Sequence, residues 1–310
     1  MTTNLTAQFL PMLDRWWILS VQDYLNEVRH KEKTVQVSAK PFFLDIHARE
    51  LGRRFAVYHA PAVDQMRGQI VYLHPFAEEM NKSRRMAALQ SRALASAGFA
   101  VLQLDLLGSG DSEGDFGDAS WDLWVEDASF AVHWLAERAA GPLWLWGLRA
   151  GCLLASDLAS RLDQPSNFLF WQPSISGKLL LRQFLRTKIA AEMSLGKSNG
   201  LMEQMRARLN SGEPVDVAGY NLSSAMAIGL EGAELRPPTR PSSSIWFELS
   251  LRQDDKVTAG LAANSAQWSA AGSPPAVHSV QGPAFWQTTE INDAPNLIDA
   301  TVSAMTAMAA

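Results

Sequence analysis

Apolar and polar positions change period several times along the chain, and each change marks an element. Past residue 40, residues 42–46 and 53–58 read as two strands around a turn at Gly52. Residues 68–73 form a short apolar strand. Met86, Leu89, Ala93, Leu94 and Ala97 then recur at three- and four-residue spacing, predicting a helix that Gly98 terminates. Residues 99–104 are another apolar strand, opening into a loop rich in glycine, serine and aspartate at 105–114. Ser120 is placed to cap a helix whose inner face is Trp121, Trp124, Val125, Ala128, Ala131, Val132 and Leu135. Strand and helix alternate again from Leu143 into the turn at 147–151, at Leu154, Leu158 and Leu162, and at 167–171. Near-continuously apolar strands separated by helices predict a mostly parallel sheet covered on both faces.

The alternation breaks at 172–240, where residues 179–185, 201–209 and 224–230 read as helices between glycine- and proline-bearing connections. This stretch is expected to be a helical cap inserted over the mouth of the sheet. Strand and helix return at 244–249, from Val257 to Ala270, at 276–280, and from Ala294 to the end. The expected organisation is an extension at 1–38, a core built from 39–171 and 241–310, and a cap at 172–240. In the extension, Phe9, Leu13, Trp16, Trp17, Tyr24, Leu25 and Val28 suggest helices packed on the core. A membrane-surface helix is the alternative, although Asp14, Arg15 and Gln22 interrupt the apolar stretch and no lysine-rich face accompanies it.

The most informative stretch is Gly147-Leu148-Arg149-Ala150-Gly151, which joins a buried strand directly to a helix. This is the frame of a G-x-S-x-G nucleophile elbow with arginine at the central position. Glycines flanking such a turn admit close backbone approach. The central residue is thrown to the mouth of the sheet, beside a helix N-terminus, where positive potential and free amides favour an anion.

Composition narrows the function classes. Apolar residues make up 47% and charged residues 19% of the 310, which suits a globular chain with a sizeable core. A net charge of -5 gives no reason to expect nucleic-acid binding. Cys152 is the single cysteine, so no internal disulfide can form and a reducing, cytoplasmic location is expected. The six histidines form no metal-ligand spacing, and neither metal nor cofactor is expected. No apolar run reaches the roughly 18 residues that span a bilayer. The start has no positive n-region followed by a clean apolar core, so no signal peptide is expected.

The order of elements resembles the α/β-hydrolase fold over roughly residues 40 to 310. His74-Pro75 resembles that fold's oxyanion segment, continued by Phe76, and 105–114 resembles its D-x-x-G-x-G-x-S-x-G loop. Five longer motifs are similar to the second of two hydrolase-like families that accompany the exosortase A system. They are Pro41-Phe-Phe-Leu44, His74-Pro-Phe-Ala-Glu-Glu-Met-Asn-Lys-Ser-Arg-Arg85, Trp146-Gly-Leu-Arg-Ala-Gly-Cys-Leu-Leu-Ala155, Ala218-Gly-Tyr-Asn-Leu-Ser223 and Gly282-Pro-Ala-Phe-Trp-Gln-Thr-Thr-Glu-Ile291. That resemblance implies a link to PEP-CTERM protein sorting and exopolysaccharide biosynthesis in Gram-negative bacteria, with the exosortase or exopolysaccharide machinery as partners. The family's "hydrolase" label derives from its fold.

Covalent acyl transfer needs a nucleophile, a base and an acid that orients the base. Arg149 stays protonated at ordinary pH and cannot attack a carbonyl. Cys152 lies one helical turn on, rotated away from the mouth, and reads as either a core thiol or a substitute nucleophile. The fold implies a histidine after the last strand, but that loop, 282–287, has none, and His278 falls too early. Asp254 or Asp255 stands where the fold implies an acid. His74, with Glu78 or Glu79 nearby in sequence, either activates water as a general base or only orders Pro75 and Phe76. Asp105 is expected to bind the amides of its own loop. Arg149, with the backbone of Ala150 and Gly151, either binds an anion or forms an ion pair with Glu78, Glu79 or Asp105. Lys82, Arg84 and Arg85 either add positive potential at the rim or form an exposed helical turn.

Three functions follow. The first is a non-catalytic or weakly catalytic protein that binds an anionic acyl, lipid-linked or phosphorylated small molecule. The second is a hydrolase or acyltransferase that uses His74 with Glu78 or Glu79 instead of a serine. The third is a scaffold for other pathway proteins.

Overall fold

The structure, a computed structural model, describes residues 38–46, 50–63, 65–193, 199–251 and 256–308. The extension expected at 1–38 lies outside the described residues except for Ser38. The strands of the main sheet are β1 (Ala39–Asp45), β2 (Arg53–His59), β3 (Gly68–Leu73), β4 (Phe99–Leu104), β5 (Leu143–Leu148), β6 (Asn167–Trp171), β9 (Ser244–Ser250) and β10 (Ala276–Gln281). Their order across the sheet is β1-β2-β4-β3-β5-β6-β9-β10. β2 runs antiparallel to both its neighbours, with Asp45 opposite Arg53 and Ala56 opposite Leu104. The other pairings are parallel. β1 starts three residues earlier than the sequence suggests and contains Pro41, which is tolerated because β1 is an edge strand.

Alternation along the central strands buries both faces. On β5, Leu143 and Leu145 join one core while Trp144, Trp146 and Leu148 join the other. Helices α1 (Glu78–Ser96) and α8 (Pro295–Met308) cover the tryptophan side, where Trp171 donates its indole N–H to Thr301 Oγ1 at 3.0 Å. Helices α2 (Trp121–Ala136), α3 (Ala150–Arg161) and α7 (Ala259–Ala270) carry the residues that pack on the opposite core. Ser120 caps α2 as its position implies, accepting from Leu123 N–H at 3.2 Å.

Between β6 and β9 lie α4 (Gly177–Met193), α5 (Leu201–Asn210), a hairpin of β7 (Val215–Val217) and β8 (Tyr220–Leu222), and α6 (Ser224–Gly232). The helices were expected and the hairpin was not. Its turn is Ala218-Gly219, both at positive φ (51° and 87°), as a two-residue type I′ turn requires. Ser223 fixes the start of α6, accepting from Met226 N–H at 3.1 Å and donating to Ala119 O at 2.7 Å. Among the described residues no helix is long and apolar enough to cross a membrane.

Candidate functional site

Arg149 sits between β5 and α3 with φ 56° and ψ −112°, a conformation costing a non-glycine residue about 1–3 kcal/mol. Its neighbours explain the two glycines. A Cβ on Gly151 would lie 2.0 Å from Leu73 O, and one on Gly147 would lie 2.5 Å from Cys152 N. The strained residue is pinned by its own backbone: its N–H donates to Trp171 O at 3.1 Å, and its carbonyl accepts from Cys152 and Ser174 at 3.1 and 3.3 Å. Ala150 and Gly151 are buried at the start of α3. The elbow is therefore formed, with a guanidinium at its tip.

That guanidinium meets residues from three other elements. Its Nε and Nη2 each lie 3.4 Å from Glu79 Oε1 at the start of α1. Nη2 also lies 3.4 Å from Gln183 Oε1 on α4. Its Cζ is 5.9 Å from the ring centre of Trp286, in the loop after β10. Charge-assisted N–H···O bonds normally measure about 2.7–2.9 Å, so the Arg149–Glu79 pair is loose. Both side chains are largely covered, Arg149 being 14% and Glu79 18% exposed. Burial holds the Glu79 carboxyl above the usual carboxylate range, although the charge and hydrogen bond of Arg149 pull it back and Gln287 and Lys82 help less. Glu79 Oε2 is buried with no hydrogen-bond partner.

A cavity of about 400 Å³ opens on the Glu79 side of this pair. Its wall is aromatic, from Phe76, Phe184, Tyr220 and Trp286, and Lys82 and Gln287 stand with Glu79 on its polar side. Phe76 packs edge-on against Phe184 at 5.1 Å, joining the oxyanion segment to α4. A second hollow of about 250 Å³, lined by Arg149 and Ser174, shares Leu180 and Gln183 with the first. Glu248 also faces it, but its carboxylate is taken by the Thr258 N–H at 2.6 Å and hydroxyl at 2.8 Å.

The structure brings Arg149 and Glu79 together and leaves the other candidates apart. His74 is buried, with Nδ1 2.8 Å from Pro75 O and Nε2 accepting from Leu106 N–H at 3.3 Å. Both ring nitrogens are thus engaged with backbone, burial holds its pKa below the usual histidine value, and neither glutamate bonds to it. Of the two roles expected for His74, the contacts are those of the ordering one, with the ring between the Pro75 carbonyl and the Leu106 N–H. Glu78 is exposed and accepts from Tyr220 Oη at 2.9 Å and Asn81 Nδ2 at 3.1 Å. Asp105 accepts from Arg84 Nη2 at 2.6 Å and Asp111 N–H at 3.0 Å, so it serves its own loop. Arg85 pairs with Asp293 at 2.8 Å, leaving Lys82 as the member of the basic trio that faces the cavity.

Cys152 is fully buried, and burial raises its thiol pKa well above the ordinary value, as suits a core thiol. His278 stacks on Phe247 at 5.0 Å, away from the elbow. Asp254 and Asp255 lie outside the described residues. Sequence reasoning missed Gln183, Phe184 and Tyr220. They come from the segment between β6 and β9, and their sequence spacing carries no signal for a shared wall.

Comparison with known proteins agrees with the fold class. Residues 64–206 match the family described as serine aminopeptidase, S33. The lysophosphatidylserine lipase ABHD12 of Danio rerio is 30% identical over 115 residues, 37% of this chain and 29% of that protein. The match thus covers less than a third of that relative's length. The carboxyl esterase of Bacillus coagulans superposes with a TM-score of 0.57 at 14% identity, covering 88% of this chain and 98% of that one. Est1E of Butyrivibrio proteoclasticus, solved with ferulic acid, gives 0.56 at 16% identity, covering 86% and 97%. At such identities the structural likeness speaks to fold alone. The chain is an α/β-hydrolase-fold protein. Within that class, its elbow carries arginine where the G-x-S-x-G frame has its nucleophile.

Proposed function

We propose that this protein binds an anionic acyl or phosphorylated small molecule at the elbow and performs little or no covalent catalysis. The observation that carries the reading is Arg149 at the elbow tip, its guanidinium 5.9 Å from the Trp286 ring. A cation that cannot act as a nucleophile occupies the elbow, and an indole that cannot accept a proton faces it. The aromatic cavity suits an acyl chain, and Arg149, Lys82 and Gln183 suit an anionic or polar head. The zebrafish relative is named for lysophosphatidylserine, a ligand that joins an acyl chain to a phosphate-bearing head. In this reading residues 172–240 act as a cap, since Gln183, Phe184 and Tyr220 all contribute to the cavity wall. The five motifs shared with the exosortase A-associated family support a place in exopolysaccharide or protein-sorting pathways. The single cysteine, buried as a thiol, supports a cytoplasmic location.

The test uses the whole chain. Decyl phosphate should raise the melting temperature, and Arg149→Gln should remove the shift. A panel of esters, thioesters and acyl phosphates should show no turnover above buffer. Turnover that disappears in a single point variant would overturn the proposal, as would stabilisation that persists in Arg149→Gln.

A further inference from the structure

A further cavity, also of about 250 Å³, lies away from the elbow between α1 and the β2–β4 side of the sheet. α1 separates the two sites: Glu79 and Lys82 face the elbow cavity, whereas Arg84, Ala88 and Arg92 line this one. These three fall at successive four-residue steps, on one ridge of the helix. The small side chain of Ala88 leaves room between two arginines. Phe55 and Val57 of β2 supply an apolar floor.

The polar groups around this floor are only partly used. Arg84 is paired with Asp105 at 2.6 Å. Arg92 has no carboxylate or hydrogen-bond partner among the described residues. His59 is 1% exposed, with Nε2 3.1 Å from Gln103 Oε1 and Nδ1 unpartnered. Burial, with some repulsion from Arg92, holds the imidazole below its usual pKa, so it does not compete for an anion as a cation. The Tyr72 hydroxyl also lacks a partner among the described residues and, with its pKa pushed up by burial, remains a donor. With Arg84 neutralised by Asp105, Arg92 is the one uncompensated charge lining the cavity among the described residues.

From this arrangement we infer a second binding site, for a small organic anion: a carboxylate or phosphate monoester on a compact apolar body. The head would sit between Arg92 and the Tyr72 hydroxyl, and the body on Phe55 and Val57. The volume is roughly eight times the ~30 Å³ share of one liquid water, enough for a single ring or a short branched chain and too small for a long acyl chain. The charge excludes a neutral ligand as the preferred occupant, since Arg92 would gain nothing from it.

Titration calorimetry of the whole 310-residue chain with benzoate, phenyl phosphate and uncharged benzyl alcohol tests the site. At least one of the two anions should bind at millimolar concentration or below, and the tighter one identifies the head group. Benzyl alcohol should bind more weakly than that anion. Arg92→Gln, an exposed substitution, should weaken anion binding about tenfold. Ala88→Leu should block it by filling the cavity. Failure of both anions to bind overturns the inference, as does binding that stays undiminished in both Arg92→Gln and Ala88→Leu.

Discussion

Arg149 and Glu79 meet through a single carboxylate oxygen: Nε and Nη2 both point to Oε1 at 3.4 Å, while Oε2 is buried without a partner. The pair is under-compensated, and burial outweighs the arginine in setting the Glu79 pKa. Its folded value is therefore raised above the 4.5 of an ordinary glutamate. The associated stability is fully present below that unfolded value and is lost as pH rises through the folded one. Thermal unfolding should show wild type losing stability relative to Glu79→Gln over this window. Curves that stay parallel at every pH would contradict the burial argument.

The same pair links pH to ligand binding. When Glu79 is ionised it competes for the guanidinium, and when it is protonated Arg149 has an uncompensated charge. A short alkyl sulfate, which stays ionised throughout, should bind more tightly as pH falls towards and through the Glu79 pKa. Glu79→Gln should bind it tightly with little pH dependence. Calorimetry at several pH values checks this, and weaker binding by Glu79→Gln would refute it.

His74 separates a structural from a catalytic reading. Removing its ring in His74→Ala orphans the Pro75 carbonyl and the Leu106 N–H, each at about 1–3 kcal/mol if left unsatisfied. Urea unfolding should show a loss of that order, with alkyl phosphate binding at Arg149 intact in the folded fraction. A variant of unchanged stability that has lost a measurable turnover would restore His74 as a base.

The elements that frame the site were legible because each has a local cause. Apolar periodicity gives β3, β5 and α1, and Ser120 marks the start of α2. The pair Gly147 and Gly151 marks the elbow, since backbone atoms crowd both positions. The hairpin at Val215–Leu222 was missed because its turn begins with Ala218 at φ 51°, where asparagine or aspartate would have signalled a type I′ turn. The choice among Glu78, Glu79 and Asp105 as partner of Arg149 was also hidden. It depends on Tyr220 taking Glu78 and Arg84 taking Asp105, contacts made by residues 142 and 21 positions away in sequence. The second partner of His74 was hidden for the same reason, because Leu106 closes its other nitrogen from another strand's end.

A buried ion pair outside the site supports the loop beside it. Arg54 Nε lies 2.7 Å from Asp127 Oδ2, with both side chains fully buried, and the same oxygen accepts from Leu107 N–H at 2.9 Å. Asp127→Ala should cost about 3–5 kcal/mol, because it leaves a buried guanidinium uncompensated. The double variant Arg54→Met with Asp127→Leu should recover much of that loss. Chemical denaturation distinguishes the two outcomes, and a double variant no better than the single would show that the loop needs the carboxylate itself.

The elbow itself offers the sharpest test of why covalent chemistry is not expected here. Its backbone already adopts φ 56° and ψ −112°, and Gly147 and Gly151 already allow the turn, so Arg149→Ser places a hydroxyl at the tip without refolding. A serine there still needs a base, and the group facing it would be the Trp286 indole, a donor only. Arg149→Ser should therefore fold, hydrolyse p-nitrophenyl butyrate no faster than wild type, and resist a fluorophosphonate probe. Adding Trp286→His brings an imidazole to the facing position and should produce slow, serine-dependent labelling detectable by intact mass. Rapid labelling of Arg149→Ser alone would mean that a base other than a residue at 286 already serves the elbow. The binding-only reading would then give way to that of an enzyme lacking only its nucleophile.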